Sequence, residues 1–256
     1  MRFLPALRTG IFAVISVTIF SCSDKKEEFI TEPISDYMIP LQPGKYITYR
    51  LDSLVYTSFG TVTEIHRYQV RHVVDKQITD NLGRPSWRIY TFITDSTGTQ
   101  AWTPNGTYFI TPLADQAELI EDNLRVIKMH LPIREGFQWK GNSYLPDEPY
   151  IASYDFSNDL DIEDWDFVYD SFEPSWSYRN NNYTDVFTVE QQDEFENAPV
   201  LSVNDYGYKN RSVEKYAKNV GLVYRQYELW EYQPNPSGAS PYYTGFGITL
   251  WMIDHN

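Results

Sequence analysis

The chain has 256 residues, 42% of them apolar and 16% aromatic, with 35 acidic against 21 basic residues and a net charge of −14 at pH 7. So acidic a surface repels phosphate backbones, which excludes nucleic-acid binding as a function class. Cys22 is the only cysteine, which excludes an internal disulfide, a cysteine-ligated zinc and an iron–sulfur cluster.

Arg2 and Arg8 open the chain with positive charge, and an apolar run from Gly10 to Phe20 follows. That run is about half the ~20 residues a membrane-spanning helix needs, so it reads as a processing signal. Ile19-Phe20-Ser21-Cys22 resembles the lipobox of bacterial lipoproteins, with Phe20 where a smaller residue is usual. The resemblance implies that residues 1–21 are removed, that the Cys22 thiol receives diacylglycerol and that the freed amine is acylated. Two or more acyl chains give stable anchoring, so the expected partner is a membrane, reached through lipidated Cys22. With Arg2 and Arg8 gone, the mature charge falls to −16. Residues 22–36 are polar, charged and broken by Pro33, which reads as a tether. Asp24-Lys25-Lys26-Glu27-Glu28 resembles the charged stretches of surface-exported Bacteroidota lipoproteins. The expected location is the outer membrane, on its periplasmic or surface-exposed face.

The body, residues 37–256, reads as strands. Ile47, Tyr49, Leu51 and Val55 alternate with Thr48, Arg50 and Asp52, the period of two of a half-buried strand. Val62, Tyr68, Val70 and Val74 share a face of the next one, and 87–93 follows the turn signal Asp80-Asn81-Leu82-Gly83. Further strands are expected at 107–111, 124–131, 185–190, 199–204, 222–232 and 246–253. Short helices are expected over Ala114–Asn123 and Arg211–Lys218. The fold class is therefore mainly β: one antiparallel domain, curved into a half-barrel, barrel or sandwich, with at most one or two short helices.

Two segments carry a family resemblance. Residues 131–142, with Pro132, Gly136, Trp139, Gly141 and Asn142, resemble the P-x-x-x-G-x-x-W-x-G-N segment of uncharacterised Bacteroidota outer-membrane lipoproteins. Residues 214–225 resemble their E-x-Y-A-x-G-V-G-L-V-Y segment, with Asn219 where glycine is usual; both tolerate a left-handed turn. The resemblance implies a β-rich extracytoplasmic domain and no particular activity. Both motifs read as structural, with glycines at turns and tryptophan and valine inward.

No catalytic residue, cofactor or metal is expected. His66 and His72 lie six residues apart on one strand, roughly 20 Å, too far to share a metal. No His-Glu-x-x-His run, Gly-x-Ser-x-Gly elbow or phosphate loop occurs. Residues 141–178 stand out, with ten acids, ten aromatics and no lysine or arginine. Within them Asp159, Asp161 and Glu163 have the alternate-oxygen spacing of a calcium loop, but Asp164 occupies the glycine position and Asp170 the bidentate glutamate position. Asp159, Asp161, Glu163, Trp165 and Trp176 are the candidate ligand-binding residues, since rings and carboxylates together suit sugars. The competing reading is a solvated segment whose rings pack on the domain.

The expectation is an anchored envelope lipoprotein with a non-catalytic binding or scaffolding domain, its partner a glycan or an envelope protein. Three alternatives stand beside it: a glycan- or calcium-binding module of an uptake system, a carrier of a lipid or apolar ligand, and a carboxylate-dependent glycosidase. Oligomeric state is left open.

Overall fold

The computed structural model describes residues 32–158, 160–235, 238 and 240–256. Cys22 and Asp159 lie outside the described residues. Among the described residues twelve strands form one antiparallel sheet: β1 (Tyr46–Thr57), β2 (Val62–Thr79), β3 (Pro85–Asp95), β4 (Thr103–Pro112), β5 (Gln116–Glu121), β6 (Leu124–His130), β7 (Gln138–Lys140), β8 (Asp166–Tyr178), β9 (Asn181–Glu196), β10 (Gly207–Ala217), β11 (Gly221–Gln233) and β12 (Tyr242–His255). The spatial order β6-β5-β4-β3-β2-β1-β12-β11-β10-β9-β8-β7 is a continuous meander in which the first and last strands pair. The two sheet edges, β6 and β7, are consecutive in the chain, and the sheet curls until they meet.

That meeting nearly closes the barrel, without a ladder between the two edges. The Ile127 amide donates to the Gly141 carbonyl at 2.8 Å, and the Trp139 indole N–H donates to the Ile127 carbonyl at 2.9 Å. Bringing the two edges together shields strands that would otherwise template aggregation. Trp139, Gly141 and Asn142 of the first motif all serve this seam. A Cβ on Gly141 would stand 2.3 Å from the Phe167 ring, and the Asn142 side-chain amide donates to the Ile162 carbonyl at 2.7 Å.

The period of two places Ile47, Tyr49, Val70, Val74, Ile89, Val223, Leu229, Leu250 and Met252 in the core. Burying each large side chain contributes about 1.5–3 kcal/mol. A 3-10 turn at Ile34–Tyr37 is already packed, with Tyr37 fully buried and its ring edge-on to Phe187 at 5.5 Å. The expected tether thus gives way to packed chain by Ile34, because an apolar Ile-x-x-Tyr pair covers one part of the core. Gly221 permits this close approach: a Cβ there would meet the Ile39 nitrogen at 2.6 Å.

Three expectations are corrected. Ala114–Asn123 contains β5, and Arg211–Lys218 lies mostly in β10. Their helix-forming residues are overridden by ladders on both sides, such as Leu119 opposite Ile110 and Val126. Residues 199–204 form the loop between β9 and β10, where Asn197 gathers the backbone: its Oδ1 accepts the Leu201 and Ser202 amides and its Nδ2 donates to the Ser202 carbonyl.

Candidate functional site: ionic groups inside an apolar barrel

The barrel holds a cavity of about 220 Å³. Its walls are mostly apolar, among them Ile47, Leu51, Val70, Ile110, Ile248 and Leu250, with Tyr37, Met38 and Ile39 also lining it. Asn105 and Glu121 are its exposed liners and mark where it opens.

Into this apolar space the strands project charges. Glu214, on β10, is 1% exposed. Its Oε1 accepts Lys128 Nζ, from β6, at 2.7 Å, and its Oε2 accepts the Tyr216 hydroxyl at 2.7 Å and Gln191 Nε2 at 2.8 Å. Arg225 Nε stands 3.3 Å from Oε1, yet is buried and makes no hydrogen bond. Burial alone would raise the Glu214 carboxyl, but Lys128 and Arg225 outweigh it and hold it below the ordinary range. Burial pushes Lys128 down, with Glu214 opposing. Two cations therefore face one carboxylate, which also accepts from Tyr216 and Gln191.

His72 completes the wall. Its Nδ1 lies 3.1 Å from the Tyr108 hydroxyl, and its ring meets Tyr49 and Tyr108 edge-on at 5.0 and 5.4 Å. Burial first, then Arg225, lowers it to about 4, so the imidazole is neutral at physiological pH. Glu118, also lining the cavity, is bound by Arg84 at 2.8 Å and by Arg125 and Gln116.

Of the residues singled out from the sequence, Trp165 is buried in the core, its indole N–H donating to the Leu160 carbonyl at 3.1 Å. Asp161 is exposed and Glu163 half-buried. Trp176 sits elsewhere, stacked on Tyr183 at 5.5 Å under Lys215. Asp161 and Trp165 do share a second, polar cleft of about 540 Å³ with Tyr206, Tyr208 and Asn210. There Asn210 Oδ1 is buried without a hydrogen-bond partner. The acidic segment is pinned by Glu231, fully buried, which accepts the Ser157 amide and hydroxyl at 2.8 Å and the Asn158 amide at 3.2 Å. Several of its rings pack on the domain: the Tyr150 and Tyr227 hydroxyls meet at 2.8 Å, and Tyr154 lies 5.1 Å from Phe246, while Tyr144 and Phe172 are exposed. No group of three or more His, Cys, Asp or Glu side chains among the described residues is placed to hold a metal.

Sequence reasoning passed over Glu214, Tyr216 and Lys128. The signal was present: in the second motif Glu214 and Tyr216 occupy one strand face, and Lys128 interrupts the apolar run Val126-Ile127-Lys128-Met129.

No family model and no curated protein matches the chain. A solved structure described as an exported protein with YMCC-like fold, from Bacteroides fragilis, is similar at a TM-score of 0.33 and 11% identity, over 86% of this chain and 100% of that one.

Proposed function

We propose that the chain is an outer-membrane lipoprotein, related to the Bacteroidota lipoproteins it resembles, and that its barrel is a non-catalytic binder of a small apolar or amphipathic molecule. The cavity carries this reading: its apolar wall gains from excluding water, and its polar groups can orient a guest. Calorimetric titration of the full chain with octanol tests it. Saturable binding with a negative heat-capacity change is expected, and Ile248→Trp, which fills the cavity, abolishes it. No saturable binding would overturn the reading.

Anchoring rests on the leader and Cys22. Metabolic labelling with an alkyne fatty acid is expected to mark the wild type and not Cys22→Ala; label in the variant would overturn the assignment.

A second reading, glycan binding in the polar cleft, is favoured by the unpartnered Asn210 Oδ1 beside Tyr206 and Tyr208. A glycan array probed with wild type and Asn210→Leu decides it: selective binding lost in the variant supports the cleft, and no binding removes it.

A further inference from the structure

The interior cluster has more donors than acceptors. Glu214 accepts from Lys128, Tyr216 and Gln191, and Gln191 Oε1 is taken by the Ser212 hydroxyl at 2.7 Å. Lys128 Nζ has Glu214 as its hydrogen-bond partner, while the Arg225 guanidinium makes an ion pair and a ring contact, with Tyr227 at 5.1 Å, and its buried Nε makes no hydrogen bond. A guanidinium carries five donors and cannot shed its charge. Of the other charged liners, only Glu121 acts on it electrostatically, and none accepts from its Nε. Glu118 is held by its own arginines, His72 is neutral above about pH 4, and Glu121 is exposed at the opening and within ion-pair distance of no cation among the described residues.

We propose that the cavity selects an amphiphile with a single carboxylate head, received by Arg225 and Lys128, its hydrocarbon part lying against Tyr49, Leu51, Ile248 and Leu250. This rests on the interior-binding reading above. A carboxylate matches the count: Lys128, Arg225 and Glu214 leave one positive charge, and a planar head can take two guanidinium N–H groups at once. A phosphate dianion would overfill a site that already has Glu214 within it and Glu121 at its mouth.

The experiment titrates the full chain calorimetrically with octanoate, octanol and octylammonium, which share a chain and differ in head. Octanoate is expected to bind about tenfold or more tighter than octanol, the worth of one charge-assisted hydrogen-bond pair, and octylammonium weakest. Arg225→Gln brings octanoate to within about threefold of octanol while octanol binding persists. Should Arg225→Gln fail to fold, as circular dichroism would show, Glu121→Gln at the exposed opening is expected to tighten octanoate and leave octanol unchanged. Octanol binding as tightly as octanoate, or an unchanged preference in these variants, overturns the head assignment and leaves the cavity reading standing. Absence of binding by all three probes overturns both.

Discussion

The Tyr169 hydroxyl accepts from the His130 amide at 3.2 Å and donates to the His130 carbonyl at 2.9 Å, so one phenol from β8 satisfies both backbone groups of a β6 residue across the barrel seam. β7 is only three residues long, too short to pair with the whole of β6. A side chain from the next strand takes over where the ladder stops.

Tyr169→Phe removes that bridge and leaves two part-buried backbone groups to find other partners. A loss of about 1–3 kcal/mol is expected in urea denaturation, with faster amide exchange over residues 126–130. Unchanged stability and exchange would show that the seam holds without the phenol.

Gly141→Ala pushes a methyl group to 2.3 Å from the Phe167 ring. Overpacking of this kind costs about 1–3 kcal/mol. Shrinking the ring should relieve it, so Gly141→Ala with Phe167→Leu is expected to cost less than the sum of the single changes. Additive losses would mean that the clash is relaxed by other means.

Glu214→Ala leaves Lys128 and Arg225 facing each other without an anion, and loss of one partner of a buried ion pair costs about 3–5 kcal/mol. Combining Glu214→Leu with Lys128→Met removes charge of both signs and should cost less than Glu214→Ala alone. The Glu214 carboxyl sits below its ordinary value of 4.5, so its contribution is complete above that pH and fades as the pH falls through the folded value. Acid denaturation of wild type against the double variant reads this directly.

His72 gives a second pH dependence, at higher pH. Its folded value is about 4 against 6.5 unfolded, so between those limits the unfolded chain binds a proton that the fold refuses. Stability is complete above pH 6.5 and falls toward pH 4, by up to about 3 kcal/mol. His72→Phe should flatten the pH 4–6.5 limb of stability measured by chemical denaturation. A slope unchanged in that variant would place its origin in another group.

Much of the barrel was legible. The alternation Ile47, Tyr49, Leu51 and the run Phe246, Ile248, Leu250, Met252 lie inward because side chains on a strand alternate faces, a property each strand carries locally. The same period ran through Asp166, Phe167, Val168, Tyr169 and Asp170, with Phe167 and Tyr169 fully buried and the two acids exposed, though the density of acids suggested a solvated loop or hairpin. Helix propensity misled at Ala114–Asn123, where a few tenths of a kcal/mol per residue yield to ladder bonds from both neighbours.

By itself, then, the sequence determined the strand-rich class, the faces of most strands and the net negative charge. Only the tertiary structure decided barrel over sandwich, since closure depends on β6 meeting β7. It also decided the site. Lys128 and Glu214 are 86 residues apart and touch at 2.7 Å, and local periodicity can say that each faces inward but not which inward-facing groups meet.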